Sequence, residues 1–211
     1  NLLFTKDKLS RGRASSPPAS LVEEPSRSKR AFCGIHMLEV ATMTKPEAYP
    51  RAEEEVAVRV DGLKKRYPRA SEYAVNGISF EVRRGEIVGL LGHNGAGKST
   101  TLKCLTGMLP YKEGEIEIFG EPMKGEALAA KMRFGFVTDN HAVFRKMTGL
   151  EYLAFMADVY GVGAEERVAR VEELQRCFAL GDKIKNLISS YSHGMKQRIC
   201  MMGSLIHDPD L

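Results

Sequence analysis

The chain has 211 residues, of which 43% are hydrophobic, so it is long enough and apolar enough to fold, and a wholly disordered protein is excluded. Its 31 basic and 27 acidic residues leave a net charge of only +4, which gives no reason to expect a nucleic-acid partner. The four cysteines form no CxxC pair and no apolar run is long enough to cross a membrane, so we expect reduced cytosolic thiols and neither a zinc site nor a membrane span.

The first 52 residues are predicted to be a disordered tail or upstream read-through. Arg11–Arg30 consists mostly of Ser, Pro, Arg, Lys and Glu, and such a segment cannot bury enough apolar surface to offset its conformational entropy. An arginine- and serine-rich start also resembles a transit peptide, although Glu23 and Glu24 argue against one. Because the chain begins with Asn1 and stops at Leu211, we expect it to be part of a longer protein.

Residues 53–147 combine strand and helix signals, which predict a nucleotide-binding α/β core. Alternating or continuous apolar residues predict five strands, at Glu55–Val60, Ile78–Val82, Ile87–Leu91, Glu115–Phe119 and Phe134–Val137. Ile87–Leu91 is apolar on both faces, which is typical of a strand buried in a mixed or parallel sheet. A glycine-rich loop follows this strand, and a helix is predicted from Lys98 to about Thr106.

From Thr148 onward the hydrophobic period becomes helical, which predicts a helical subdomain over residues 148–190. The first helix places four apolar residues on one face: Leu150, Leu153, Met156 and Tyr160. The second helix, Ala164–Leu180, has an apolar stripe that we interpret as core packing, formed by Val168, Val171, Leu174 and Phe178. Residues 191–211 are expected to hold one further motif and the helix after it.

The strongest motif is Gly92–Ser99, which fits the pattern G-x-x-x-x-G-K-[ST] between a predicted buried strand and a predicted helix. Glycines let the backbone approach phosphates with its N–H groups pointing at the anion, and the helix adds its dipole. Lys98 is expected to bridge the β- and γ-phosphates, and the Ser99 hydroxyl to complete the shell of Mg²⁺. The alternative is a glycine-rich turn that caps a helix and binds nothing.

Several motifs that follow one another in the order typical of one family make the chain over roughly Val56–Leu211 resemble the ATP-binding subunit of ABC transporters. Its GHNGAGKST segment is similar to the family's Walker A motif, which implies that ATP is bound by Gly92, His93, Asn94, Gly95, Ala96, Gly97, Lys98, Ser99 and Thr100. Tyr191–Arg198, YSHGMKQR, is similar to the signature usually written LSGGQ, with Ser192 and Gly194 kept. This Tyr-Ser-x-Gly-Met form, like Thr148–Leu153, resembles ATPases of drug-, antibiotic- and sodium-exporting systems whose permease is a separate chain.

Three further positions gain a role from the resemblance, each with a plainer alternative. Tyr67 sits where the family has an aromatic residue that stacks on adenine, although it could simply cover the sheet edge. Ser192 and Gly194 would close on the γ-phosphate of ATP bound to the opposite subunit, but Ser192 is also what any helix N-cap looks like, and His193 replaces a family glycine. Asp139 aligns with a Mg²⁺-contacting Gln of the family, or is a polar loop residue.

The resemblance implies an α/β fold, with a P-loop NTPase core, an antiparallel β subdomain and a helical insert. It implies ATP and Mg²⁺ as cofactors, a second ATPase subunit in a head-to-tail dimer, and a transmembrane permease that holds an exporter's ATPase peripherally on the cytoplasmic face of the membrane. The family's catalytic carboxylates follow in a strand beyond Leu211, so the chain itself is expected to be inactive. The alternatives are a soluble ABC-type ATPase acting on ribosomes or DNA, a non-catalytic nucleotide-sensing module, and a small-molecule kinase, in which Tyr191–Arg198 would have no role.

Overall fold

The structure of the protein is a computed structural model. It describes residues 55–138 and 144–211 in full, and the backbone alone of three segments nearer the start, 2–4, 29–33 and 36–43. Most of the segment predicted to be a disordered tail therefore lies outside the described residues.

The described residues form eight strands and five α-helices. The strands are β1 (Leu2–Phe4), β2 (Lys29–Cys33), β3 (His36–Met43), β4 (Val56–Lys65), β5 (Val75–Arg83), β6 (Ile87–Leu91), β7 (Glu113–Ile118) and β8 (Glu121–Pro122). The helices are α1 (Lys98–Leu105), α2 (Leu128–Met132), α3 (Gly149–Val159), α4 (Ala164–Phe178) and α5 (His193–Leu205), and two short 3₁₀ helices, Gly181–Lys185 and Ile188–Ser190, separate the last two. Within this described part of the chain, no helix is long and apolar enough to cross a membrane.

Strands β5, β4, β7 and β8 form one antiparallel sheet in that order. The register places Val60 of β4 opposite Phe80 of β5 and Ile116 of β7, and all three side chains are buried. Alternate residues on the three strands thus meet on one face, as their period-two pattern requires. The antiparallel β subdomain expected from the sequence is confirmed.

Strand β6 lies in a second sheet, of order β1-β6-β3-β2, in which both of its neighbours are antiparallel. These neighbours come from the segment predicted to be disordered, and the sequence analysis did not predict them. Each side of β6 carries a row of backbone N–H and C=O groups, which must be hydrogen-bonded when they are buried, and β1 and β3 supply the partners. Five residues of β3, Glu39–Met43, pair with all five residues of β6.

Two expectations about strands are wrong. Strand β6 was expected to be buried on both faces of a mixed or parallel sheet, but Leu91 is 52% exposed; its observed antiparallel pairing allows one face to remain open. Phe134–Val137 was expected to be a strand, but none forms there. Instead Gly135 approaches the end of α5 so closely that a Cβ atom built on it would lie 2.3 Å from the carbonyl oxygen of Ser204.

Residues 132–210 form a second compact unit, which includes α3, α4 and α5 and begins before the helical subdomain predicted from residue 148. Its core is made by side chains from all three helices and from the segment between α4 and α5: Tyr152, Leu153, Ala157, Leu174, Ile184, Ile188, Ile199, Met202 and Ile206. The start of α3 is fixed by a capping box, in which the Thr148 hydroxyl accepts from the Glu151 N–H at 3.2 Å while the Glu151 carboxylate accepts from the Thr148 N–H at 2.7 Å.

The predicted apolar stripes of this unit are only partly buried. On α3, Leu153 is buried as expected, but Leu150 is 41% exposed and the larger ring of Tyr152 occupies the core instead. On α4, Leu174 is buried whereas Val168 is 60% exposed. Successive residues of a helix are about 100° apart, so a stripe read from the sequence can be rotated by one residue and still look regular.

His207 follows α5 and stacks on the ring of Tyr160, with ring centroids 3.6 Å apart and an interplanar angle of 1°. Burial lowers the pKa of His207, and the backbone of Phe134 offsets part of that shift. Neither ring nitrogen makes a hydrogen bond of normal geometry with the described residues. The neutral imidazole is therefore favoured in the folded unit.

Candidate nucleotide-binding site

The candidate site is the loop between β6 and α1, together with the first turn of α1. We call this segment, Gly92–Thr100, the phosphate loop. Residues 92–95 are exposed, whereas Ala96 and Gly97 are buried where the loop enters the helix. The loop makes one internal turn, in which the Ala96 N–H donates to the His93 carbonyl at 3.1 Å.

Gly97 begins α1 from a left-handed backbone conformation, with φ 90°. A Cβ atom built on it would lie 2.3 Å from the carbonyl oxygen of Ala74, where real Cβ contacts are essentially never shorter than 3.0 Å. The Ala74 backbone has little freedom to retreat, since its N–H donates to the Lys65 carbonyl at 2.8 Å. Glycine is therefore needed at position 97 for two reasons, its φ angle and this close approach.

The amino end of α1 is open to an anion. Its N-cap, Gly97, makes no side-chain cap hydrogen bond, and the first turn has no acidic side chain. The first-turn N–H groups, with the positive end of the helix dipole, thus have no carboxylate or hydroxyl cap of their own. The turn itself is firm, because Thr101 donates to the Gly97 carbonyl through its N–H at 2.8 Å and through its hydroxyl at 3.0 Å.

The ammonium of Lys98 is held over the loop. Its Nζ donates to the carbonyl oxygens of Gly92 at 2.6 Å and of His93 at 2.8 Å. An ammonium has three donors, so these two bonds leave one for an anion. The loop therefore presents a positioned positive charge at the amino end of a helix, which is the arrangement that binds a polyphosphate.

Ser99, predicted to be a magnesium ligand, lies in the first turn of α1. Its side chain lies on the exposed surface of the first turn, and no described residue forms a hydrogen bond with its hydroxyl. Asp139, the other predicted magnesium contact, lies outside the described residues. Within the described part of the chain, no group of three His, Cys, Asp or Glu side chains is placed to hold a metal.

Tyr67 lies in the loop between β4 and β5 and reaches the phosphate loop. Its hydroxyl is 3.3 Å from the hydroxyl oxygen of Thr100, and its side chain is 40% exposed. Two residues that the sequence singled out for different parts of ATP thus lie side by side. The open ring is placed where a base could stack while the phosphates occupy the loop.

The segment similar to the family signature, Tyr191–Arg198, lies in the second unit, and we call it the signature segment. The hydroxyl of Ser192 accepts from the Met195 N–H at 3.3 Å, so Ser192 is the N-cap of α5. Ser192, His193 and Gly194 are all exposed, and a Cβ atom at Gly194 would meet nothing within 4 Å. The capping role is thus observed, and all three residues lie on the exposed surface of the unit at the start of α5.

Tyr191, which stands where the LSGGQ pattern has leucine, is buried. Its hydroxyl donates to the Lys183 carbonyl at 2.8 Å, and burial raises its pKa. The same hydroxyl would lie 2.5 Å from a Cβ atom at Gly149, the first residue of α3. Tyr191 therefore ties the signature segment to the start of α3.

Two contributors to the site were missed by the sequence analysis. The Ala74 carbonyl limits position 97 to glycine, and Lys65 places its ammonium 5.8 Å from the centroid of the Tyr67 ring. Neither residue belongs to a motif, since each acts on a residue that only the fold brings near. Cys104 of α1, by contrast, is buried, which raises the pKa of its thiol and makes it a poor nucleophile.

Comparison with known proteins gives one family and many relatives. Residues 75–211 match the family model described as "ABC transporter". The chain is 36% identical over 154 residues to the linearmycin resistance ATP-binding protein LnrL of Bacillus subtilis, covering 73% of this chain and 49% of that protein. It is 40% identical over 156 residues to a fluoroquinolones export ATP-binding protein of Mycobacterium tuberculosis, covering 73% and 50%. The chain thus spans about half the length of the curated relatives it matches.

The fold has a counterpart among solved structures. One, titled as the structure of an ATP-binding subunit of an ABC transporter, aligns with a TM-score of 0.62 at 23% sequence identity. The alignment covers 72% of this chain and 63% of that one. At this identity the likeness concerns the fold, which is that of a P-loop nucleotide-binding domain.

Proposed function

Because the chain belongs to the ABC transporter family, we propose that it is the nucleotide-binding part of an ATPase subunit that energises export through a separate membrane permease. The single observation that carries the proposal is the phosphate loop, which joins left-handed Gly97, the held ammonium of Lys98 and the uncapped start of α1. The export direction is supported by the names of relatives, including a fluoroquinolones export protein and a linearmycin resistance protein.

ATP would lie along the loop with its phosphates at the start of α1. The N–H groups of the first turn and the remaining donor of Lys98 would hold the β- and γ-phosphates, and the exposed ring of Tyr67 would stack on adenine. Ser99 would ligate Mg²⁺ together with phosphate oxygens, with Asp139 as a second contact. A bound Mg²⁺ supplies neutralisation of the charge that develops on the phosphates during hydrolysis.

The exposed signature segment supports a second ATPase subunit as a partner. Ser192 and Gly194 lie exposed at the start of α5, which suits them to the γ-phosphate of ATP held by a second ATPase subunit in a head-to-tail dimer. Closure of such a dimer on ATP would be the motion passed to a transmembrane permease. The subunit would then be held at the cytoplasmic face of the membrane by that permease, with no nucleic acid as a partner.

The proposal is tested by ATP binding to Lys98→Ala. Loss of the ammonium removes the closest cation from the phosphates, so affinity for a fluorescent ATP analogue should fall at least tenfold, or about 1.4 kcal/mol. Lys103→Ala is the matched control, because Lys103 is an exposed lysine in the last turn of the same helix. Equal affinities of the wild type and Lys98→Ala for the ATP analogue would contradict the proposal and favour the alternative, a glycine-rich turn that caps a helix and binds nothing.

A further inference from the structure

Lys65, the last residue of β4, connects three parts of the nucleotide-binding unit. Its side chain is half-buried, and its ammonium donates a hydrogen bond to the carbonyl of Pro110, in the loop between α1 and β7. The same ammonium lies over the ring of Tyr67, 5.8 Å from its centroid. Lys65 thus spans from the far end of α1 to the aromatic ring beside the phosphate loop.

The Tyr67 ring is restrained at its other ends as well. The backbone carbonyl of Tyr67 accepts from the Ala70 N–H at 3.1 Å, which closes a turn with Pro68 at the second position. Its hydroxyl makes the contact with Thr100 at 3.3 Å, long for a hydrogen bond between hydroxyls. With 40% of the side chain exposed, these contacts fix the ring at its base, its tip and one face while part of it stays open.

A cation above one face of an aromatic ring has two physical effects on what the ring can bind. It attracts the ring electrostatically and so limits the rotation of an exposed side chain, which lowers the entropy lost when a ligand stacks there. It also draws π-electron density toward itself, which reduces the repulsion between the opposite face and the π-cloud of a base. Both effects act on the base of a nucleotide and leave its phosphates untouched.

We propose that Lys65 is a positioning residue for base recognition: it holds the Tyr67 ring in its stacking position and contributes to the affinity for adenine but not for the triphosphate. The inference rests on the proposed function, since it requires that Tyr67 stack on the base of ATP bound at the phosphate loop. Lys65 is assigned to the base and not to the phosphates, because its ammonium contacts the Tyr67 ring and the Pro110 carbonyl.

The experiment measures affinity for ATP and for inorganic tripolyphosphate in the same set of variants of the whole chain. Lys65→Gln keeps a donor for the Pro110 carbonyl but removes the charge above the ring. A cation–π contact at an exposed site corresponds to about a two- to five-fold change in affinity, so Lys65→Gln should weaken ATP binding by that factor and leave tripolyphosphate binding unchanged. Lys65→Arg retains a cation for the ring and should restore the affinity for ATP.

A double-mutant cycle with Tyr67→Ala identifies the ring as the intermediary. In the Tyr67→Ala background, Lys65→Gln should have no further effect on ATP affinity. Lys103→Gln is the matched control for loss of one positive charge from this unit, and it should bind both ligands as the wild type does. Unchanged tripolyphosphate binding also shows that each variant has kept its fold.

Three outcomes would overturn the inference. If Lys65→Gln lowers the affinities for ATP and tripolyphosphate equally, Lys65 is a general electrostatic contributor. If Lys65→Gln binds ATP as the wild type does, its charge does not matter. If Lys65→Gln weakens ATP binding as much in the Tyr67→Ala background as in the wild type, the ring is not the intermediary. The proposed function fails separately, if ATP affinity does not depend on Lys98. Binding that depends on Lys98 and Tyr67 but not on Lys65 would reject this inference alone.

Discussion

Alanine at position 97 should destabilise the protein far more than alanine at position 95. Both glycines have φ 90°, so either substitution forces an L-residue into a left-handed conformation at a cost of about 1–2 kcal/mol. Alanine also restricts the unfolded chain, which returns about 0.4–1 kcal/mol. A Cβ atom at Gly95 meets nothing within 4 Å, so Gly95→Ala should lower the free energy of unfolding by about 0–1.6 kcal/mol.

Gly97→Ala adds a steric cost to the same backbone cost. Its Cβ atom would lie 2.3 Å from the Ala74 carbonyl oxygen, and relief requires that either the loop or the start of β5 move. Overpacking of this kind costs about 1–3 kcal/mol, so the free energy of unfolding of Gly97→Ala should be lower than that of Gly95→Ala by that amount.

The assay is urea unfolding followed by circular dichroism, without nucleotide, on both variants and the wild type. Because the two variants share residue type and φ angle, their difference isolates the contact with Ala74. If the two free energies of unfolding agree within about 0.5 kcal/mol, the close approach of the two backbones at Gly97 is refuted.

Three further predictions concern the second unit. Thr148→Ala removes the hydroxyl that caps α3 and should lower the free energy of unfolding by about 1 kcal/mol, whereas Thr148→Ser should retain it; equal losses would exclude the hydroxyl contact with Glu151. Burial lowers the pKa of His207 below its ordinary value of 6.5, so the folded state binds fewer protons than the unfolded state at acidic pH. Its contribution to stability is therefore present above pH 6.5 and lost as pH falls below it, and a urea midpoint series from pH 8 to 5 should be flatter in His207→Gln than in the wild type. Gly203→Ala places a Cβ atom 2.6 Å from the ring of buried Tyr152, and overpacking of this kind costs about 3 kcal/mol. The higher helix propensity of alanine offsets about 1 kcal/mol, so the free energy of unfolding should fall by about 2 kcal/mol. An unchanged thermal midpoint in Gly203→Ala would contradict that packing.

The phosphate loop could be predicted because its chemistry is local. The strand at Ile87–Leu91 and the helix that begins at Lys98 both lie where the sequence analysis predicted them. The phosphate-loop motif itself indicates that a strand precedes it and a helix follows it. The loop's positive φ angles follow from its glycines in the same way.

The remainder depended on contacts between distant residues. Phe134–Val137 has the apolar composition of a strand, but a strand needs a hydrogen-bonded neighbour, and the sequence does not say whether one is adjacent. Leu150 and Tyr152 lie about 200° apart around α3, and only the packing of the whole unit decides that the side with the tyrosine ring faces the core. The contact between Lys65 and Pro110 spans 45 residues, so nothing in the local pattern predicts it.

The contact between Tyr191 and Gly149 has a consequence for evolution. With the tyrosine hydroxyl bonded to the Lys183 carbonyl, any side chain at position 149 would collide with that hydroxyl, so the two positions are not free to mutate independently. A Cβ atom at position 149 would also lie 2.8 Å from the backbone carbonyl oxygen of Ile184, so a descendant that changed Gly149 would have to move this backbone as well as the tyrosine ring. Among homologues, tyrosine at the position of Tyr191 should therefore be inherited together with glycine at the position of Gly149.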